Sequence, residues 1–146
     1  MRPLKGAVIL GAAVAFAAPG FAADKPLWHE HAAPEARLTL NQGRKWPTDA
    51  PLRQGMENIR AALAGGMDDA ALAKDVRTEV ADIVQKCRLE PAADAQLHVV
   101  LIQLLAGAEA MEGKVQGESR GDGLERIAKA LSAYGRHFDH AGWRDL

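Results

Sequence analysis

Cysteine is nearly missing from this chain. Cys87 is the only one in 146 residues, so no internal disulfide can form, and no C-x-x-C-H stretch offers the usual covalent attachment of haem. An excess of either charge is missing as well. Lys and Arg number 18 against 19 Asp and Glu, and the resulting net charge of -1 leaves no electrostatic footprint for DNA or RNA. Aromatic residues make up only 5% of the chain. Other catalytic signatures are absent: there is no H-E-x-x-H, no Gly-rich phosphate loop and no Glu-x-x-His pair of the di-iron bundles. The acids Asp68, Asp69, Asp75, Glu79 and Asp82 alternate with Lys74 and Arg77, the pattern of a solvated helix face. The chain is therefore not expected to be an enzyme. What is present, 48% hydrophobic and 25% charged residues, fits one ordinary globular domain.

The N-terminus has the organisation of a secretory signal. Arg2 and Lys5 form a basic region, Gly6 to Ala18 is uncharged, and Gly20-Phe21-Ala22 places small residues where a signal peptidase reads. Residues 1–22 are expected to be removed by cleavage near Ala22 or Ala23, leaving a periplasmic product. The apolar stretch is shorter than the roughly 20 residues a bilayer core requires, and Pro19-Gly20 ends it, so no membrane insertion is expected after cleavage. Without Arg2 and Lys5 the cations number 16 against 19 acids, a net charge of -3. Residues 23–47, with Pro26, Pro34, Gly43 and Pro47 and no sustained helical period, read as an extended arm. Leu38, Leu40 and Trp46 are its candidates for folding back on the body.

From Thr48 the pattern becomes helical. Thr48 or Asp49 caps a first helix with Pro51 in its first turn, and Leu52, Met56, Ile59 and Leu63 recur at helical spacing until Gly65-Gly66. Asp68 or Asp69 opens a second, whose apolar line runs Leu72, Val76, Val80, Ile83, Cys87. A third runs from about Ala92 to Glu112 and is the most apolar, with Leu97, Leu101, Leu104, Ala108 and Met111 on one face and Val100, Ile102 and Leu105 beside it. After a polar, Gly-rich loop, Asp122 is read as the cap of a fourth, striped by Leu124, Ile127, Leu131, Tyr134 and Phe138 and ending near Gly142. Short connections favour antiparallel neighbours, which makes 48–146 an all-α, up-down-up-down four-helix bundle preceded by the arm.

This topology brings the start of helix one, the end of helix two, the start of helix three and the end of helix four to one end of the bundle. Met56, Cys87, His98, His137 and His140 all belong to that level. Each has a plain alternative. Met56 serves as a thioether ligand or as a core gap filler, and Cys87 as a ligand or a small buried hydrophobe. His98 is either a ligand or a neutral imidazole bonded to a backbone carbonyl or to Tyr134. His137 is a ligand or a cation at a helix C-terminus, and His140, three residues on, points to the same side. His29 and His31 in the arm have the H-x-H spacing that chelates a divalent metal from an extended segment, or simply belong to a polar arm. Together these side chains suit copper or zinc.

Two stretches, Leu-Arg-Gln-Gly-Met-Glu-Asn-Ile-Arg-Ala-Ala-Leu-Ala from Leu52 and Leu-Ser-Ala-Tyr-Gly-Arg-His-Phe from Leu131, resemble the first and last helices of periplasmic cytochromes of the b562 type. The resemblance covers roughly 49–143. It implies an exported bundle holding a non-covalent haem b between Met56 and His137. The arm, Cys87 and the few aromatics depart from that pattern. Two functions follow as expectations. One is a small periplasmic binding protein for haem or a transition metal, acting as electron carrier, buffer or sensor. The other is a non-catalytic interaction or regulatory module that offers a helix face or the arm to another periplasmic or envelope protein, its histidines incidental.

Overall fold

Carboxylates and a serine set where the helices begin in the computed structural model, which describes residues 37–146. Asp49, extended, accepts the Leu52 N–H at 2.9 Å and opens α1 (Ala50–Ala64), with Pro51 in the first turn, where its missing N–H costs nothing. Asp68 accepts from Ala70 and Ala71 to open α2 (Asp69–Lys86). Pro91 starts α3 (Pro91–Met111), which has no side-chain cap. The fourth start differs from the sequence expectation. Ser119 is the cap of α4 (Arg120–His137), and Asp122, three residues on, returns the bond to the Ser119 N–H as a capping box. A carboxylate at that third position resembles a cap in sequence, because both roles satisfy free N–H groups of the first turn.

The arrangement is an antiparallel bundle of four consecutive helices. Asp49 at the start of α1 takes the Arg88 N–H beyond the end of α2 (2.6 Å), and Arg120 at the start of α4 faces Asp69 at the start of α2 (3.8 Å). The core runs through Leu52, Met56, Val76, Ile83, Leu97, Leu104, Ile127, Leu131 and Tyr134. α3 and α4 lie closest of all. Their backbones touch at Gly107 and Gly123: a Cβ on Gly123 would stand 2.5 Å from the Gly107 carbonyl oxygen. Gly123 therefore occupies the buried position, and Leu124, expected on the stripe, is 40% exposed.

α1 and α4, by contrast, approach each other at few points, and the chain beyond α4 fills the seam between them. α4 ends at His137, well before Gly142, because Phe138 turns extended and is drawn into a one-residue parallel bridge with Trp46. The Trp46 N–H donates to the His137 carbonyl and the Asp139 N–H to the Trp46 carbonyl, both at 2.8 Å. Gly142 instead turns the tail, with φ of +82°. Described arm residues 37–47 also dock: Leu38 and Trp46 pack on the core, while Leu40 stays exposed. No helix among the described residues is long and apolar enough to cross a membrane. Residues 1–36, with the expected signal segment and most of the arm, lie outside the described residues.

Candidate functional site

The end of the bundle where α1 and α3 begin and α2 and α4 finish holds the helical candidates, each in a different setting. Met56 has no exposed surface and sits in the continuous core with Leu52, Tyr134 and Phe138, all equally buried. Cys87 is the cap residue just past α2 and, half-buried, packs against the core below the α2 stripe. Burial, reinforced by the Asp49 carboxylate that its thiol faces, pushes Cys87 up to about 12, so the sulfur carries its proton at neutral pH. A protonated thiol is a poor nucleophile. His98 is exposed on α3, its Nδ1–H donating to the Asp94 carbonyl at 2.9 Å, with the Asp94 carboxylate 3.4 Å away. His137, half-buried, donates from Nδ1 to the Ala133 carbonyl at 2.8 Å. His29 and His31 lie outside the described residues.

His140 departs most from its expected place. It stands beyond the helix, not on the same helical side as His137, and its side chain is only 5% exposed in the seam between α1 and α4. Tyr134 of α4 meets its Nδ1 at 3.0 Å, and Glu57 of α1 stands 3.7 Å from its Nε2. A carboxylate only accepts, so the neutral ring carries its proton on Nε2 and takes the Tyr134 O–H at Nδ1. Burial holds the imidazole below its ordinary pKa of 6.5, Arg53 and Arg60 push the same way, and Glu57 opposes them. Trp143 closes the cluster. Its ring packs edge-on to Tyr134, lies 5.8 Å from the Arg60 guanidinium and covers Gly135, where a Cβ would collide with the indole. Arg60 in turn holds Glu57 at 2.8 Å.

Sequence reasoning missed Glu57, Arg60 and Trp143, which come together through the turn of the tail. Gly135 is the flat patch of α4 on which the indole rests; a glycine eight residues before a tryptophan was the only signal. The cluster locks the tail. Tyr134 is wholly buried, and its phenol is raised well above the usual range by burial, so it offers no reactive oxygen to a substrate.

A haem between Met56 and His137 does not fit this packing. A macrocycle needs a slot, and fully buried Leu52, Met56, Tyr134 and Phe138 leave none at the Met56 thioether. No three His, Cys, Asp or Glu side chains among the described residues stand close enough together to hold a metal ion. Among the described residues one surface is left uncovered: between Asp94 and Glu109, α3 has no charged residue on any side. Its outward stripe consists of exposed Ala95 and Ile102 with half-buried Val99 and Ala106. Beside it runs a groove with Gln103 on the α3 wall, Ala130 and Ala133 along α4, and Asp122, Glu125, Arg126, Lys129 and Arg136 around them. No protein family, curated protein or solved structure matches the chain.

Proposed function

We propose that this chain is an exported, non-catalytic interaction module of the bacterial envelope, and that the outer face of α3 and α4 is where it meets protein. One observation carries the reading. A helix that is apolar all round is normally covered all round, whereas α3 exposes Ile102 at 59% in the middle of an uncharged stretch. The basic, apolar and small-residue order of residues 1–22 supports export. To test both parts, a photoreactive residue is placed at Ile102 or at Val84 of α2, which is equally exposed at 58% but lies outside the uncharged stretch. In producing cells the Ile102 probe is expected to crosslink to protein in the periplasmic fraction, and the Val84 probe much less. Equal labelling from both positions defeats the reading, and a product that retains residues 1–22 defeats export.

A second reading, a copper or zinc carrier, draws on His137. Its Nδ1–H is tied to a carbonyl while Nε2 makes no hydrogen bond among the described residues, the orientation common for a ligating imidazole. Calorimetric titration of parent and His137→Ala with Cu(II) and Zn(II) tests it. Equal heats from the two proteins remove His137 from consideration.

A further inference from the structure

We propose that residues 140–146 form an acid-operated latch: protonation of His140 releases the tail from the seam between α1 and α4 while the four helices stay packed. The latch is independent of the outer face of α3 and α4.

The tail is held at few points. Asp139 is clamped on both sides, its N–H donating to the Trp46 carbonyl at 2.8 Å and its carbonyl accepting from the Thr48 hydroxyl at 2.6 Å. Beyond Asp139, the Tyr134–His140 bond is the only hydrogen bond from tail to body among the described residues. Trp143 bonds within the tail itself, through its N–H to the His140 carbonyl at 3.0 Å and through Nε1–H to Asp145 at 3.3 Å. Ala141, Gly142, Arg144, Asp145 and Leu146 are exposed, so the side chains that dock are those of His140 and Trp143. Gly142, at φ +82°, turns the chain between them. Because the tail and not a helix fills the seam, it can leave without drawing a helix from the core.

The groups that face His140 make the docked site hostile to an imidazolium. α1 contributes Arg53, Glu57 and Arg60, and α4 contributes Tyr134. Asp145, the acid of the tail, is turned to the Trp143 indole. Glu57 stands 3.7 Å from the ring through Oε1, and its Oε2 already takes two N–H groups of Arg60, at 3.0 and 2.8 Å. A charged His140 therefore adds a third cation beside Arg53 and Arg60 around one carboxylate. The phenol adds a second penalty. Tyr134 is fully buried, and His140 is its one hydrogen-bond partner among the described residues. Once Nδ1 takes a proton from solvent it stops accepting, and the phenol O–H is left without an acceptor in a dry interior. Release removes the first penalty by hydrating the ring and the second by opening the phenol to water. The docked tail thus holds the proton less tightly than the free one, in line with burial keeping this ring below its ordinary value. Docking is unaffected by this group above the ordinary pKa of 6.5 and weakens as the pH falls below it, by up to about tenfold per pH unit.

Solution NMR on the whole isotope-labelled protein tests the latch, with the pH lowered from about 8 to about 5. The signals followed are the backbone relaxation of residues 141–146, the Trp143 indole N–H and the titrating ring proton of His140. At the upper pH the tail is expected to be as ordered as the helices. As the His140 ring takes up its proton, the tail amides should gain fast motion and the Trp143 indole should move to the position of a free tryptophan, all with one midpoint. The amides of α1 to α4 and the helical circular dichroism should stay unchanged over that range. His140→Asn, which keeps an acceptor near Nδ1 and cannot be charged, should hold the tail at both ends of the range. A ring that titrates while the tail stays in place overturns the proposal. So does loss of order in tail and helices together, which is acid unfolding of the whole domain, or a His140→Asn tail that loosens over the same range as the parent. If the tail of the variant is loose already at neutral pH, coincidence of the midpoints in the parent decides.

Discussion

His140 is the residue whose chemistry the fold alters most usefully for experiment. Its ring is nearly sealed from water, so the charged form loses hydration that Glu57, 3.7 Å away and already bound to Arg60, replaces only in part. The native state therefore holds the proton less tightly than the unfolded chain. It follows that stability should be unaffected by this group above the ordinary pKa of about 6.5 and should fall as the pH drops through and below it. Urea midpoints measured at about pH 7 and about pH 5 are expected to differ, with the lower value at acid pH. His140→Asn, which keeps an acceptor near Nδ1, should flatten the difference; an unchanged slope in that variant would mean that the drop comes from other groups. Cys87 gives a second check. With its thiol raised to about 12 by burial and by Asp49, it should react slowly with iodoacetamide at mildly alkaline pH and quickly once the chain is unfolded in urea. Rapid labelling of the native protein would contradict this assignment.

Among the elements, the contact between α3 and α4 depends on side chains that are not there. A Cβ on Gly123 would meet the Gly107 carbonyl oxygen at 2.5 Å and the Met111 nitrogen at 2.7 Å, backbone atoms that cannot swing aside. Gly123→Ala should therefore destabilise by about 1–3 kcal/mol, the range for overpacking a filled interior, although alanine is the better helix former. Gly121, two residues earlier in the same helix, is the internal control. A Cβ there meets only the Ser119 hydroxyl at 3.6 Å, so Gly121→Ala should be neutral or stabilise by up to about 1 kcal/mol. Thermal unfolding of the two variants side by side separates close packing from propensity, since propensity alone predicts a gain in both. Ser119 fixes where this helix starts through its exchange of bonds with Asp122, so Ser119→Ala should cost about 1 kcal/mol in the same assay.

Across the whole molecule, the chain on either side of the bundle completes it. Arm residues bind the end of α4 through Trp46 and through Lys45, which donates to the Gly135 carbonyl at 2.6 Å, Thr48 donates to the Asp139 carbonyl just beyond that end, and the tail inserts His140 and Trp143 where α1 and α4 stand apart. The seam is thus closed by single side chains in place of a helix-to-helix contact. Replacing Trp143 with Ala would strip the Arg60 guanidinium of its ring, open the flat patch at Gly135 and admit water to His140 and Tyr134. A loss of about 2 kcal/mol or more is expected, below the full cost of a buried Trp→Ala change because the indole is only half-buried. The variant should still unfold in one transition, and its acid sensitivity should shrink because His140 regains solvent. Loss of helical circular dichroism in this variant would show that the tail is needed for the bundle to form, and not merely to seal it.

Local patterns in the sequence were sufficient for the helices. Spacings of three and four at Leu52, Met56, Ile59 and at Leu72, Val76, Val80, Ile83 bury one side of each, Asp49 and Asp68 have oxygens that reach their own free amides, and Pro51 fits a first turn; short connections then leave the antiparallel bundle as the simple way to cover the stripes. All of this depends on neighbours within a turn or two of chain. What decided the rest was contact between residues far apart in sequence. Phe138 leaves the helix because Trp46 offers it a bridge, His140 is dry because Glu57, Tyr134 and Trp143 surround it, and Gly123 replaces Leu124 on the buried side because another backbone presses there. The gathering of soft and imidazole side chains at one end was an expectation about level along the bundle alone. Periodicity fixes height along an axis, but whether side chains at one height face one another depends on how the helices are rotated and what fills the space between them, and here a core methionine, an exposed histidine and a protonated thiol at that height face different surroundings.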